Sequence, residues 1–281
     1  MKEETEAKKI LVLYHADCSD GFGAAYSAWK KFGDMAEYMP ILYKTDPPDV
    51  RGKIVYILDY GFPRNITEKI AMDADKLIII DHHVTNKDIV ELAPEHIFDI
   101  SHSGSVLAWK YFHPDIPVPL LLKYVEDKDL WRFLLPDSKE VSRWFANLPA
   151  DFNTWDRMIA DFENEDTRRA FIAEGGRILT QVNKVIDDLV SRAKPIIFEG
   201  YKTLIIETPV FHSEVGNALA NKLPPIGIVC VEKNGKFSVS LRSDGTVDVS
   251  KLAEKYGGGG HKSASGFVLD TREELNNLFK L

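Results

Sequence analysis

Three polar segments of this chain each follow a short apolar run, and they carry aspartates and histidines of the types that bind metal ions. The segments are His15-Ala16-Asp17-Cys18-Ser19-Asp20-Gly21, Asp59, and Asp81-His82-His83. Carboxylate oxygens and imidazole nitrogens are ligands for divalent cations, which also offset the repulsion among clustered carboxylates. These residues therefore predict a metalloenzyme, and their number predicts two bound ions.

Each segment also has a purely structural explanation. Asp59 before Tyr60-Gly61 is compatible with a plain turn, and Asp20 before Gly21 is compatible with a helix N-cap. A histidine pair directly after an aspartate is harder to explain as structure alone. Asp81-His82-His83 therefore favours a metal-binding or catalytic role.

The apolar runs that precede these segments predict the fold. The runs are residues 9–14, 54–58 and 77–80. Helical patterns alternate with them, including residues 22–32 and residues 104–112 with Ser103 as a predicted N-cap, which indicates βαβ units. We therefore expect an α/β fold with a mainly parallel sheet and flanking helices. Because the carboxyl ends of parallel strands lie along one edge of a sheet, the three polar segments should converge there.

The second half of the chain differs in its pattern. Residues 166–193 have the apolar spacing of a long helix, interrupted by Gly175-Gly176 and followed by Pro195. We interpret it as a linker helix that the two glycines can bend. Beyond it the sequence is β-rich, with a hairpin turn predicted at Asn234-Gly235. The predicted organisation is a metal-binding catalytic domain at residues 1–165, a linker helix at 166–194 and a smaller α/β domain at 195–281.

A run of four glycines from Gly257 to Gly260 precedes His261 and Lys262. Consecutive glycines let backbone N–H groups approach an anion closely, and the two basic side chains add donors. Arg242, at the end of a strand-like run, is suited to a bidentate pair with a phosphate. The structural alternatives are a flexible hinge for the glycines and an ordinary surface position for the arginine.

The composition is that of an ordinary globular protein, with 281 residues, 44% hydrophobic and 28% charged residues and a net charge of −8. The acidic balance argues against a surface that wraps duplex nucleic acid. No apolar run approaches the ~20 residues of a membrane span, and residues 1–9 lack the apolar stretch of a signal peptide. Two cysteines, Cys18 and Cys230, give no disulfide framework. We therefore expect a cytoplasmic protein that does not associate with membranes.

Taken together, the motifs resemble those of the DHH phosphoesterase superfamily with an attached DHHA1 domain, the group of RecJ-like and nano-RNase-like enzymes. Asp81-His82-His83 matches the triplet that gives the superfamily its name, and Gly257 to Gly260 with His261 resembles its GGGH substrate-binding loop. The resemblance covers nearly the whole chain. It implies two divalent metal ions, commonly Mn²⁺, with Mg²⁺ or Co²⁺ as alternatives.

The resemblance also implies roles for individual residues. Asp59 matches the aspartate that bridges the two ions, and His82 matches a metal ligand. His83, the last residue of the triplet, matches the histidine that faces the substrate or supports the site. Asp81 and His83 are the predicted catalytic residues. With Arg242, predicted from its residue type and position, the substrate-binding residues are Arg242, Gly258, Gly259, Gly260 and His261.

The first motif departs from the family pattern His-x-x-x-Asp-x-Asp. Asp20, just before Gly21, matches the second aspartate, so Cys18 stands where the first aspartate belongs. Either Asp17 replaces that aspartate, or Cys18 is itself a ligand, or one ion is held more weakly. We favour His15 and Asp17 as ligands of the first ion.

The late aspartate ligand of the family has two candidates in this sequence. Asp129-Leu-Trp-Arg-Phe resembles the family's Asp-Thr-Gly-Arg-Phe ending, and Asp127 lies two residues earlier. The two would share a face if the segment were extended. We favour Asp129 and keep Asp127 as the alternative.

These roles predict hydrolysis of phosphoester bonds by a water that two metal ions activate. The compact size and acidic balance favour a small nucleotide or a short single-stranded oligonucleotide as substrate. His102, Trp131 and Tyr256 are candidates for stacking on a base, although each has a structural alternative. An inorganic pyrophosphatase or exopolyphosphatase is the alternative enzyme, and a metal-dependent nucleotide-binding module without turnover is the alternative from another class. The apolar stripe of the linker helix is compatible with a homodimer.

Overall fold

The computed structural model describes residues 9–42, 45–233 and 235–280. The chain divides into two compact units, Met1–Leu179 and Thr180–Leu281. Residues 1–8 and Asn234 of the predicted hairpin turn lie outside the described residues. The predicted domain boundaries at 165 and 194 stay a prediction.

The first unit is built on a sheet of five parallel strands in the order β2-β1-β3-β4-β5. Its strands are β1 (Ile10–His15), β2 (Ala36–Ile41), β3 (Ile54–Leu58), β4 (Lys76–Asp81) and β5 (Glu95–Phe98). The three apolar runs of the sequence form β1, β3 and β4, which lie side by side in the centre of the sheet. The α/β fold predicted from the sequence is confirmed.

Both faces of the central strands are buried, which is why their sequences are continuously apolar. Alternate residues enter two separate cores, because successive side chains of a strand point to opposite faces. Val12, Leu58 and Ile80 belong to one core, and Leu11 and Ile57 belong to the other. The sequence did not predict the edge strands β2 and β5, which carry polar residues and, in β2, a proline.

Seven of the described α-helices lie wholly within the first unit. They are α1 (Ser19–Phe32), α2 (Arg64–Asp73), α3 (Lys87–Val90), α4 (Gly104–Phe112), α5 (Leu120–Asp129), α6 (Ser138–Phe145) and α7 (Phe152–Glu163). The predicted helix at 22–32 begins three residues earlier, which places Asp20 in its first turn. The segment with both late aspartates is helical rather than extended, since α5 ends at Asp129.

Helix α8 (Glu165–Arg192) continues through Gly175-Gly176, so the two glycines do not end it, and the bend stays a prediction. A Cβ atom on Gly175 would lie 2.0 Å from the carbonyl oxygen of Glu140 in α6. The glycine therefore permits close helix packing. The earlier half of α8, including Phe171, packs on the core of the first unit, and Ile186 in its later half belongs to a core of the second unit.

The second unit contains a mixed sheet of six strands in the order β10-β11-β9-β8-β7-β6, in which β7 and β8 are parallel and the other described pairs are antiparallel. Its strands are β6 (Lys194–Phe198), β7 (Tyr201–Glu207), β8 (Ile226–Lys233), β9 (Lys236–Ser243), β10 (Gly259–His261) and β11 (Ala264–Leu269). Its remaining helices are α9 (His212–Lys222), α10 (Val249–Glu254) and α11 (Arg272–Phe279). Across both units, none of the described helices combines the length and apolarity that crossing a membrane requires.

Candidate metal centre

The candidate site lies at the carboxyl ends of the three central strands of the first unit. His15 is the last residue of β1, Asp59 directly follows β3, and Asp81 is the last residue of β4. Because β1 and β4 both pair with β3 in parallel register, the three strand ends are adjacent. The side chains that the sequence spreads over about a quarter of the chain therefore meet at one edge of the sheet.

Asp59 lies at the centre of the site and is 2% exposed. Its Oδ2 atom is 3.4 Å from Nδ1 of His15. Its Oδ1 atom is 3.2 Å from Nε2 of His82 and 3.6 Å from Nδ1 of His83. Among the described residues Oδ1 is buried and accepts no hydrogen bond. A buried carboxylate oxygen without a donor is suited to a cation.

His82 gathers a second set of ligands around one ring nitrogen. Its Nε2 atom is 3.7 Å from Oδ2 of Asp20 and 3.5 Å from Oδ2 of Asp129, and the side chain is 2% exposed. The Oδ1 atom of Asp59 lies 3.2 Å from the same nitrogen. Three carboxylates of different elements thus surround one imidazole nitrogen.

Among the described residues, three groups have ligand atoms that all lie within 4.8 Å of one another. The groups are Asp59, Asp81, His82 and His83; His15, Cys18 and Asp59; and Asp20, His82 and Asp129. Two ligands that bond one cation at ~2.0–2.3 Å are separated by at most about 4.6 Å, so groups of this spacing can hold metal ions. Asp59 belongs to two groups and His82 to two.

Helix α4 fixes Asp20, although the two are far apart in sequence. The backbone N–H groups of Gly104 and Ser105 donate to the two carboxylate oxygens of Asp20 at 2.6 and 3.0 Å. Ser103 is the N-cap residue of this helix, as predicted, but its side chain makes no cap hydrogen bond. Its hydroxyl instead pairs with that of Ser105 at 3.0 Å. Asp20 satisfies two of the N–H groups that a helix N-terminus leaves open.

Gly104 is a site residue that sequence reasoning missed. A Cβ atom there would lie 2.7 Å from Cβ of Asp59 and 3.0 Å from Oδ2 of Asp20. Only a residue without a side chain lets the start of α4 reach both carboxylates. A glycine at the first position of a predicted helix was the available signal, since glycine has a low helix propensity.

Asp81 holds the histidine pair in place from a fully buried position. Its Oδ1 atom accepts hydrogen bonds from the backbone N–H groups of His82 and His83, at 2.7 and 3.1 Å. The same atom is 2.7 Å from Nδ1 of His83, and Oδ2 accepts from Nδ2 of Asn86 at 2.6 Å. Asp81 therefore orients the ring of His83, and Asn86 supports that carboxylate.

The structure separates the two late aspartates. They lie about 200° apart around α5, because each helical residue turns the chain by about 100°. Asp127 accepts hydrogen bonds from the backbone N–H groups of Leu134 and Leu135 at 3.0 and 3.1 Å and from Oγ of Ser138 at 2.5 Å. Asp127 thus organises the loop after α5, and Asp129 lies at the site.

The loop after β1 places its two candidate metal ligands, Asp17 and Cys18, in different surroundings. Asp17 is exposed, has a left-handed φ of 55° and belongs to none of the three ligand groups. Cys18 belongs to the group with His15 and Asp59. Gly21 allows this tight loop, because a Cβ atom there would lie 2.3 Å from the carbonyl oxygen of His15. The geometry therefore favours Cys18 over Asp17.

The charged groups of the site shift one another's pKa values. Burial opposes protonation of both histidines, but the adjacent carboxylates of Asp59 and Asp81 and the others around the site outweigh it, raising the pKa of His82 and of His83 to about 9. Burial and the neighbouring carboxylates raise the pKa of Asp20 to about 7. Burial also opposes ionisation of Asp59, yet its histidine partners lower its pKa. In the absence of cations, bound protons offset part of the negative charge of these carboxylates.

The three candidates for base stacking have different surroundings. Nδ1 of His102 lies 3.0 Å from Glu126, and the hydroxyl of Tyr256 donates to Glu199 at 2.6 Å. Trp131, two residues after Asp129, is 38% exposed and has a left-handed φ of 54°. Of the three, Trp131 is the one whose ring is presented to solvent beside the ligand residues.

In the second unit, the candidate substrate residues lie on one row of the sheet. His261 pairs with Ala264 across β10 and β11, and Ala264 pairs with Arg242 of β9. Directly paired residues share a face, so the histidine and the arginine flank a small alanine. The guanidinium of Arg242 donates to Oγ of Ser213 at 2.7 Å, at the start of α9.

The glycine run has a packing explanation in the structure. A Cβ atom on Gly258 would lie 2.0 Å from the carbonyl oxygen of Gly266, and one on Gly260 would lie 2.6 Å from that of Ala264. Gly259 is paired within the β10–β11 hairpin. Gly260 also has a φ of 139°, which side chains rarely adopt. These glycines therefore let β10 approach β11 and bring His261 into the row with Arg242.

Comparisons with known proteins give matches to the second unit and to most of the chain. A model of the DHHA1 domain matches residues 211–281. Uncharacterized protein R106 of Acanthamoeba polyphaga mimivirus is 30% identical over 285 aligned residues, which cover 92% of this chain and 67% of that protein. Oligoribonuclease NrnB of Bacillus subtilis strain 168 is 41% identical over 76 residues, which cover 27% of this chain and 18% of NrnB.

Solved structures share the fold at low sequence identity. The DHH domain of a member of a ribosomal protein family gives a TM-score of 0.67 at 14% identity, covering 97% of this chain and 86% of that one. RecJ of Thermus thermophilus in complex with Mn²⁺ gives a TM-score of 0.50 at 16% identity, covering 96% and 50%. With the motifs of the first unit and the domain match of the second, these findings confirm the resemblance seen in the sequence. The chain belongs to the DHH superfamily and carries a C-terminal DHHA1 domain.

Proposed function

We propose that this protein is a metal-dependent phosphoesterase that hydrolyses the phosphoester bonds of a small nucleotide or a short oligonucleotide. The observation that carries the proposal is the position of Asp59. One of its oxygens faces His15 at 3.4 Å, and the other faces His82 at 3.2 Å. A carboxylate placed between two ligand sets is suited to bridge two cations.

The donor sets fit two divalent ions. His15 and Asp59 would hold one ion, and Asp20, His82 and Asp129 would hold the other, with Oδ1 of Asp59 3.2 Å from Nε2 of His82. Imidazole and carboxylate donors suit Mn²⁺, and RecJ of Thermus thermophilus binds Mn²⁺ in a related fold. Mg²⁺ and Co²⁺ are the alternatives to test.

The chain's own residues prepare the site for an anionic substrate. When bound, the two cations supply an activated water and neutralise charge on the phosphoryl group. Asp20, fixed by two helix N–H groups, holds its oxygens in place without rearrangement. The ring of His83 is 23% exposed and oriented by Asp81, so it is placed to donate a hydrogen bond to a phosphoryl oxygen. Asp81 acts through His83 as a positioning residue.

The loop after α5 favours a substrate that carries a base. The rings of Trp131 and Phe133 lie 5.0 Å apart, and both residues have left-handed φ values, 54° and 50°. Left-handed backbone is uncommon for bulky residues, and it persists where surrounding contacts impose it, here through Asp127. An exposed indole two residues from Asp129 offers a stacking surface, which a pyrophosphate would not use.

The second unit supplies a second feature suited to phosphate. Arg242 and His261 flank Ala264 on one sheet row, and Ser213 at the start of α9 contacts the guanidinium. Arginine presents paired N–H donors that match phosphate oxygens. We assign to this row the binding of a substrate phosphate, in keeping with the match of NrnB, an oligoribonuclease, to part of this chain.

A substrate panel tests the proposal. Purified full-length protein with Mn²⁺ is assayed against dinucleotides, a nucleoside bisphosphate, a cyclic dinucleotide, pyrophosphate and polyphosphate, with phosphate or nucleotide release as the readout. We expect a nucleotide to be hydrolysed fastest. Preferential hydrolysis of pyrophosphate or polyphosphate would overturn the substrate assignment, and nucleotide binding without any hydrolysis would overturn the enzyme assignment.

Site variants show whether the metal centre performs the reaction. Asp20→Asn keeps an oxygen for the N–H groups of α4 but removes the charge, so we expect loss of turnover in a folded protein. His82→Gln should do the same. His96→Gln is the matched control, because His96 is exposed on β5 and its Nδ1 atom lies 2.8 Å from the carbonyl oxygen of Ala93. Full activity in Asp20→Asn or His82→Gln would contradict the assignment.

A further inference from the structure

Cys18 is the remaining group at the metal centre to which the proposed reaction assigns no role. Its sulfur lies within 4.8 Å of ligand atoms of His15 and Asp59, which themselves are 3.4 Å apart. Metal–sulfur bonds of ~2.3 Å and metal–nitrogen or metal–oxygen bonds of ~2.0–2.2 Å can span such separations. One nitrogen, one oxygen and one sulfur donor therefore share a volume that fits a single cation.

The fold explains why the cysteine side chain, and not that of its acidic neighbour, reaches this place. Cys18 is the residue before α1, with an extended backbone at φ −130° and ψ 133°. Asp17 takes a left-handed φ of 55° and is exposed. Two residues beyond Cys18, Asp20 is anchored to the N–H groups of α4. The helix start is thus fixed from both sides, and Cys18 stays beside His15.

We propose that Cys18 ligates, as a thiolate, the cation that it shares with His15 and Asp59. The inference rests on the proposed two-cation centre but not on hydrolysis. Binding forms one metal–sulfur bond, and the thiol proton is released to solvent. A disulfide is the other common use of a thiol, and it would need Cys230, which is buried in β8 of the other unit.

The consequence is a centre with two unlike positions. The position with Asp20, His82 and Asp129 offers oxygen and nitrogen donors, which suit Mg²⁺ and Mn²⁺. The position with Cys18 adds a soft thiolate, which favours Zn²⁺ and Co²⁺ over Mg²⁺. Burial and nearby carboxylates raise the pKa of the Cys18 thiol in the metal-free protein, so a cation must displace its proton, as coordinated metals do.

Titration of metal-free, full-length protein with Co²⁺ alone tests the proposal without an activity assay. A Co²⁺–thiolate bond gives a near-ultraviolet charge-transfer absorption that nitrogen and oxygen donors do not give. We expect this band in the native protein and in Cys230→Ala, the matched control at the other cysteine. We expect it to be absent in Cys18→Ser and in Cys18→Asp, both checked for folding by circular dichroism.

Competition between metals supplies the second readout. Cys18→Asp exchanges sulfur for oxygen, so we expect its preference for Zn²⁺ over Mn²⁺ to fall by about 10-fold or more relative to the native protein. A band that persists in both Cys18 variants, or no band in native protein saturated with Co²⁺, would overturn the proposal.

The outcomes also separate this inference from the proposed function. A charge-transfer band in a protein that hydrolyses nothing in the panel would support the thiolate ligand and refute the phosphoesterase. Hydrolysis by a native protein that gives no band at Co²⁺ saturation would refute the ligand and leave the phosphoesterase standing.

Discussion

Gly104 is the position where the addition of one methyl group should disable the metal centre while leaving the fold intact. In Gly104→Ala the new Cβ atom would lie 2.7 Å from Cβ of Asp59, 2.9 Å from its Oδ1 atom and 3.0 Å from Oδ2 of Asp20. Carbon atoms in contact prefer ~3.5–4.0 Å, so the start of α4 or the two carboxylates must move by about 1 Å.

The expected magnitude follows from that displacement. A misplacement of about 1 Å at a reacting centre can cost roughly 100-fold in rate, so we expect about that loss in kcat/KM with Mn²⁺. Overpacking costs about 1–3 kcal/mol, and the gain in helix propensity from glycine to alanine returns about 0.5–1 kcal/mol. The free energy of unfolding should therefore fall by only about 1 kcal/mol.

Three measurements on the same preparation test this reasoning: Mn²⁺ affinity by calorimetry, hydrolysis kinetics, and urea unfolding of the metal-free protein. Gly176→Ala is the matched control, since its Cβ atom would have Glu140 as nearest neighbour at an ordinary 3.6 Å. We expect Gly176→Ala to keep its activity. The reasoning is refuted if Gly104→Ala binds Mn²⁺ and turns over like the native protein.

Three further predictions address the roles of individual residues. Asp127→Ala should lower the free energy of unfolding, measured in urea, by about 1–3 kcal/mol, because it leaves two backbone N–H groups and a hydroxyl unsatisfied. Asp129→Ala should instead lose Mn²⁺ affinity, measured by calorimetry, with a smaller change in the free energy of unfolding. In the metal-free protein, the pKa values of about 9 for His82 and His83 exceed the ~6.5 of an unfolded chain, so their stabilisation is full below pH ~6.5 and is lost as the pH rises through about 9. Thermal melting across that range should show a falling midpoint, and an unchanged midpoint would contradict the assignment. Trp131→Ala should lower the ratio of kcat/KM for a thymidine p-nitrophenyl phosphodiester over the methyl p-nitrophenyl diester by about 10-fold, given ~1–3 kcal/mol per stacked base, and an unchanged ratio would exclude Trp131 from base binding.

The sequence by itself determined the central strands of the first unit and the edge of the sheet at which the site lies. Short continuous apolar runs that end at polar turn residues and alternate with helical patterns indicate strands buried on both faces, which predicts a parallel sheet for β1, β3 and β4. Because parallel strands end at one edge, Asp59 and Asp81 could be placed together without coordinates. Both conclusions depend on local periodicity and on a general rule of chain direction, which a single sequence contains. The edge strands β2 and β5 lack that periodicity and were not predicted.

Only the tertiary structure decided which neighbouring side chains enter the site. The sequence favours Asp129 over Asp127 only through a resemblance to a family motif, whereas the helical turn of α5 directs Asp127 to the following loop and Asp129 to His82. The capping of α4 by Asp20 joins residues 84 positions apart, and Gly104 is needed only because of that contact. The choice between Asp17 and Cys18 likewise depends on one left-handed residue and an anchored helix start. These features follow from side-chain direction and long-range packing, which no local pattern of residue types encodes.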